Sequence, residues 1–281
     1  MTAALVAGLG LALLSAAALN WGFFAQHAAA SALPPLALRQ PLVSLRRLFG
    51  NLRWLGGFLA GIGGWALYVA ALALAPLSLV QAASAGGIGL LAVLVSRGGA
   101  LSARERQGVI AAMTGLALLA ASLAGGAVHG GRGSWWSIAA WVAASVAVAG
   151  LAAAGRSARG LGLAAGLLYA AGDVATKAAV QGGARVAFVP VLLACHGLAF
   201  VALQLGFQRG GALATAGVAT LFTNALPIAA GTLLFAERLG SLPPVRLLAF
   251  TFVVLGAVLL ARPAPPVTVQ AGSALGRTST I

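Results

Sequence analysis

Trp54–Ser96 reads "WLGGFLAGIGGWALYVAALALAPLSLVQAASAGGIGLLAVLVS" and carries no charged side chain. A helix needs about 20 apolar residues to cross a hydrocarbon layer, so the stretch is long enough for two spans, 54–74 and 76–96. They meet at Pro76, a residue that either starts a helix or kinks one. The same pattern continues in both directions. The 281-residue chain is 61% hydrophobic and only 7% charged, against about 25% charge in an ordinary soluble domain. Such a composition cannot clothe a core in water, and it predicts an all-α polytopic membrane protein. Nine transmembrane helices are expected, at 3–24, 54–74, 76–96, 107–126, 135–154, 160–180, 186–206, 211–235 and 244–261. The Pro76 boundary and the glycine-rich 125–134 leave eight or ten as alternatives.

Seventeen basic residues face three acidic ones, a formal charge of +14. The basic residues are scattered between apolar runs and form no compact patch, so nucleic acid is not an expected partner. Their distribution instead votes on topology: twelve fall on the side opposite Met1 and five on the same side. The positive-inside rule then puts the N-terminus outside and the C-terminus in the cytoplasm, in a multi-pass protein of the cytoplasmic membrane. Within the long segment 25–53, "SLRRLFGNLR" sets Leu45, Leu48, Phe49 and Leu52 on one face and leaves Arg46, Arg47 and Arg53 for water or phosphate. This predicts a short interfacial helix that Gly50 weakens. The N-terminal run lacks a basic leader region and reads as the first span. The tail 263–281, rich in Pro, Ser, Gly and Thr, is expected to be disordered. The single cysteine, Cys195, excludes an intramolecular disulfide and reads as a packing residue.

Four spans precede Arg132, one stands alone, and four follow Arg156. An odd helix between two even sets makes the second set start from the opposite face. The result is a 4+1+4 inverted repeat, with a first repeat at 1–126, a linker and central helix at 127–159 and a second repeat at 160–262. "SAAALNWGFFAQHAA" lies over "GLLYAAGDVATKAAV", which pairs Gly22 with Asp173 and Gln26 with Lys177. Asn20, Gln26 and His27 thereby fall at depths comparable to Asp173, Thr176 and Lys177. Repeat-related polar positions at mid-membrane are where a carrier would bind its solute.

The run from Arg53 to Val95, with its Trp-Leu-Gly start, its aromatic-Ala-Leu-Ala-Pro stretch and "SLVQ", resembles NIPA-type magnesium transporters of the drug/metabolite transporter superfamily, which are EamA-like membrane proteins. "LFTNALPIAAGTLLFAERLGS" is similar to the superfamily's proline-containing span, with Pro227, Phe235 and Glu237 at matching positions. The resemblance extends diffusely over most of 1–262. It implies the superfamily's fold and, through the NIPA-type members, transport of a divalent cation. The chain departs from that pattern at "GIGGWALY", where a Gly-Glu and a following Asn are usual, and at Ser96-Arg97, where a glutamate is usual.

The polar residues inside apolar spans are the candidates for a substrate or ion pathway: Asn20, Gln26, Gln81, Asp173, Lys177, His196, Gln204 and Asn224. Asp173 and Lys177 stand four apart on one helical face, as a structural ion pair or as an ion site. Asn224 precedes Pro227, which frees a carbonyl near Thr223. Of the three acids, Glu105 sits between Arg104 and Arg106 and Glu237 precedes Arg238, so only Asp173 is expected inside the membrane. One carboxylate beside a lysine is a poor site for Mg²⁺, which demands octahedral oxygen ligation. No nucleotide loop, zinc-protease motif or catalytic triad occurs, and neither enzymatic activity nor a cofactor is expected. The reading is a secondary transporter of a small solute by alternating access. The alternatives are divalent-cation transport and a non-transporting membrane scaffold. Membrane lipid and a small solute or ion are the expected partners, and a homodimer is left open.

Overall fold

The structure, a computed structural model, describes residues 3–34, 36, 40–84, 86–122, 130–237 and 243–261. The described residues form eleven α-helices and no strand: α1 (Ala3–Ala30), α2 (Pro41–Phe49), α3 (Leu52–Leu74), α4 (Leu77–Ser84), α5 (Gly87–Ser96), α6 (Ala103–Ser122), α7 (Trp135–Ala154), α8 (Ala158–Ala179), α9 (Val189–Phe207), α10 (Val218–Phe235) and α11 (Pro243–Ala261). The chain is an all-helical membrane protein. Six stretches are long and apolar enough to cross a bilayer: Ala3–Ala30, Leu52–Leu74, Leu79–Ser96, Trp135–Ala154, Gly183–Phe207 and Leu213–Phe235.

Within the span expected at 76–96, the described residues form two helices, α4 and α5, with Gly86 at the N-cap of α5. The helix expected from 211 opens with a π turn at Leu213–Gly217, and the one expected from 186 opens with a 3₁₀ turn at Gly183–Phe188. Three helix starts are set by side chains that accept a backbone N–H: Asn51 from Trp54 at 3.0 Å, Ser134 from Trp136 at 3.3 Å and Ser157 from Gly160 at 3.0 Å. The interfacial helix occupies Pro41–Phe49, earlier than the expected 44–53, because the chain turns at Gly50 and restarts on the Asn51 cap. Leu48 is buried and Phe49 packs edge-on against Trp54 and Phe58, whereas Leu45 and Leu52 are exposed. The expected disordered tail and Arg39, Arg238, Arg262 and Arg277 lie outside the described residues.

Helices pair through glycines. A Cβ on Gly22 would sit 2.7 Å from the Gly57 carbonyl oxygen, and one on Gly57 would sit 2.8 Å from the Gly22 carbonyl oxygen, so α1 and α3 touch backbone to backbone. Gly115 and Gly256 bring α6 and α11 together in the same way, and α9 runs along α8. α8 is the most enclosed helix, packed by α7, α9 and α10, with 16 of its 22 residues buried.

At the end of α10, Ala236 adopts the left-handed conformation (φ 52°), and the Glu237 amide closes the turn on the Gly231 carbonyl at 2.9 Å. A residue with a Cβ is strained there by about 1 kcal/mol, and Ala236 is exposed, so glycine fits without loss of packing. Ala236→Gly is expected to raise the thermal unfolding midpoint in detergent. An unchanged or lower midpoint would mean that the turn is not strained.

Candidate functional site

A cavity of about 360 Å³ opens at mid-span between α1, α3, α4, α8, α9 and α10. Its lining is mostly apolar and aromatic, with Phe23, Phe58, Trp65, Tyr68, Tyr169 and Phe200, and its polar groups converge on Asp173. Asp173 is 3% exposed and is approached from three other helices. From α9, His196 Nε2 lies 3.5 Å from Oδ1. From α4, Gln81 Nε2 donates to Oδ2 at 3.0 Å and to the Tyr68 hydroxyl of α3 at 2.5 Å. The His196 ring is also flanked edge-on by Trp65 and Tyr169, with centroids 5.7 and 5.6 Å away.

The tautomer of His196 follows from its other nitrogen. Nδ1 lies 2.8 Å from the Leu192 carbonyl oxygen, which can only accept, so Nδ1 carries a proton. In a neutral imidazole Nε2 is then a lone pair, and it faces a carboxylate oxygen. Two acceptors at 3.5 Å repel unless one proton lies between them. A single proton, on the carboxyl or on the imidazole, would turn that repulsion into a hydrogen bond.

Six of the eight candidate residues line this cavity: Asn20, Gln26, Gln81, Asp173, His196 and Asn224. Both asparagines are held alike. Asn20 Nδ2 donates to the Ala16 carbonyl at 2.9 Å and Asn224 Nδ2 to the Thr220 carbonyl at 2.7 Å. Each Oδ1 is buried with no partner among the described residues, as are Thr220 Oγ1 and Trp65 Nε1. Buried polar atoms without partners are rare in proteins, and a water, an ion or a ligand is the usual partner.

The other two candidates lie outside the cavity lining. Gln204 accepts from Trp54 Nε1 at 3.0 Å and donates to Gln26 Oε1 at 2.5 Å, while Gln26 Nε2 reaches the Gly57 carbonyl at 3.1 Å. This chain of amides runs from Gln26, in the lining, to the indole of Trp54, which stacks on Phe58. Lys177 corrects the expected intrahelical pair, for it leaves Asp173 to His196 and donates to the carbonyls of Leu72 and Ala75 at 3.2 and 3.1 Å. Glu237 accepts from the Leu77 amide at 2.9 Å. A cation on the C-terminal carbonyls of α3 and an anion on the first amide of α4 complement both helix dipoles, and they brace the break at Pro76. Pairing along one helix is only one option for a lysine, and a cluster of unsatisfied carbonyls on the neighbouring helix offers more.

Sequence reasoning missed Tyr68, Trp65 and Tyr169. The available signal was scarcity, because the chain has only two tyrosines and both line the cavity. His27 turns away, to the Gly210 carbonyl at 3.3 Å and the edge of Phe207. Among the described residues no three His, Cys, Asp or Glu side chains gather as a metal site. No protein-family model matches this chain, and neither a curated protein nor a solved structure is significantly similar to it.

Proposed function

We propose that this chain is a secondary transporter that moves a small solute across the cytoplasmic membrane by alternating access, with its solute bound beside Asp173. The observation that carries this reading is the mid-span cavity itself. It gathers the Asp173–His196 dyad and unpartnered buried polar atoms from several helices within an otherwise apolar and aromatic lining. A scaffold gains nothing from buried polar atoms that its own fold leaves unsatisfied.

The 4+1+4 inverted repeat draws support from the pairing of helices. α1 lies along α3 as α8 lies along α9, and α6 packs against α11, its counterpart in the other repeat. On this reading α6, α8 and α11 complete nine spans. α6 and α8 are less apolar than the other spans: protein, not lipid, surrounds α8, and α6 begins with Arg104, Glu105 and Arg106 at the interface. The N-terminus lies outside and the C-terminus in the cytoplasm. The superfamily kinship is that of drug/metabolite transporters. Cation transport of the NIPA type is the weaker reading, since a single carboxylate serves the cavity.

The test is flux into proteoliposomes that enclose a pH dye and a Mg²⁺ indicator, challenged with small amines, amino acids and Mg²⁺. Saturable movement of one of them, lost in folded Asp173→Asn, is the expected result. Mg²⁺ influx with no organic solute moving would transfer the function to the cation. No movement beyond that of protein-free vesicles would overturn transport and leave the scaffold.

A further inference from the structure

The cavity is polarised in a way that its residue types alone do not reveal. Each side-chain amide nitrogen in its wall, and His196 Nδ1, already makes at least one hydrogen bond to the protein. Asn20 and Asn224 donate to carbonyls of their own helices, His196 Nδ1 to Leu192, Gln26 to Gly57, and Gln81 to Asp173 and Tyr68. The buried atoms left over are two acceptors, Asn20 Oδ1 and Asn224 Oδ1, one donor, Trp65 Nε1, and the Thr220 hydroxyl, which can do either. A carboxylate joins the acceptors. The remaining wall presents aromatic rings, whose faces attract cations. An anion would meet the Asp173 carboxylate and no Lys or Arg in the lining, and a neutral apolar molecule would leave that carboxylate unmet.

The side of the cavity points the same way. α3 and α9 meet through rings, Phe58 with Phe200 at 5.6 Å and Trp65 with His196 at 5.7 Å. Beside these contacts, Ile62, Leu193 and Gly197 both line the cavity and are exposed, Ile62 by 51% and Leu193 by 56%. The site therefore opens sideways through an apolar mouth, where an apolar body can lie while a charged head sits at Asp173.

We infer that the ligand of this cavity is a monovalent organic ammonium ion with an apolar body, its N–H groups directed to Asp173 and the asparagine carbonyls and its body toward the gap between α3 and α9. This deepens the transport reading and rests on it for the role of the site. Charge balance ties the ligand to the proton. The dyad with its one proton is neutral overall. The dyad without it carries one negative charge, which one ammonium ion neutralises. Each ammonium bound thus displaces one proton to the medium, and the net charge of the cavity is unchanged. The groups that face the dyad are Tyr68 from α3, Gln81 from α4 and Tyr169 from α8. Among the described residues no Lys, Arg or Glu lines the cavity.

The experiment is calorimetric titration of the full chain in lipid nanodiscs with 2-phenylethylammonium, in buffers of different ionisation enthalpy so that protons are counted. Phenylacetate and 2-phenylethanol serve as the anionic and neutral counterparts. The expected result is saturable binding of the ammonium alone, release of about one proton, and an affinity that rises up to about tenfold per pH unit while the dyad is protonated. Asn224→Leu, which removes an acceptor but not the charge, is expected to weaken binding about tenfold. Gly197→Trp, at a position where a Cβ meets nothing within 4 Å, is expected to slow association by filling the mouth. Equal binding of phenylacetate or 2-phenylethanol, or unchanged binding in both Asn224→Leu and Asp173→Asn, would overturn the assignment. Should the ammonium bind without crossing proteoliposomes, the ligand class stands and transport falls. Should another solute cross while the ammonium fails to bind, transport stands and the ligand class falls.

Discussion

Gly57→Leu will leave almost no monodisperse protein after detergent extraction, whereas Gly56→Leu, one residue away, will extract and melt like wild type. At Gly57 a Cβ would lie 2.8 Å from the Gly22 carbonyl oxygen, 3.0 Å from the Ala25 Cβ and 3.1 Å from the Gln26 side chain. Two of those atoms belong to the facing helix rather than to a movable side-chain tip, so α1 and α3 must separate as a whole. Overpacking of a core costs about 1–3 kcal/mol when side chains can shift. Where backbone blocks backbone the cost is expected at or above the top of that range, a large part of the roughly 5–15 kcal/mol that holds a fold together. At Gly56 nothing lies within 4 Å. Equal extraction of the two variants would show that the close α1–α3 contact is not what the bundle depends on. The effect would reach the site as well, because Gly57 accepts from the amide of Gln26, which lines the cavity.

The apolar spans were legible because lipid imposes length and composition on whatever touches it. That same logic blurs α8, whose neighbours are helices: with Arg159, Asp173, Lys177 and many glycines it is less apolar, yet it carries the carboxylate of the site. Asn20, Gln26, Gln81, Asp173, His196 and Asn224 could be picked out as polar residues inside apolar runs, since burying them is costly unless something binds them. Their assembly was not legible. Asp173 and His196 are 23 positions apart, and only the packing of α9 along α8 makes them a pair, whereas the four-residue spacing to Lys177 advertised a contact that tertiary structure overrides. Glu237 read as a residue at the end of a span, and it is buried against the amide of Leu77, more than 150 positions away in sequence. Local spacing reports on one helix. The site is made of six.

The dyad predicts a failure of additivity. Asp173→Asn and His196→Gln should each cut solute-dependent proton movement into proteoliposomes by at least about a hundredfold, while both proteins remain folded. Each change removes one of the two acceptors that share the proton. The amide that replaces the carboxylate in Asp173→Asn cannot bind the proton at all. The amide that replaces the imidazole in His196→Gln leaves the carboxylate without a basic nitrogen to share it with. If a single proton is held between them, the second change has nothing left to remove. The double variant should then match the worse single variant within about threefold, although independent sites would multiply their losses to about ten-thousandfold. The arrangement of Tyr68 and Gln81 sharpens the expectation. Gln81 holds Asp173 Oδ2 at 3.0 Å and the Tyr68 hydroxyl at 2.5 Å, so the second carboxylate oxygen is fixed whichever residue faces Oδ1. Asp173→Asn also retains that contact on the side of its carbonyl oxygen, which is why folding is expected to survive the loss of function. Losses that multiply would mean that His196 and Asp173 handle separate protons, and the one-proton exchange with an ammonium ion would have to be abandoned.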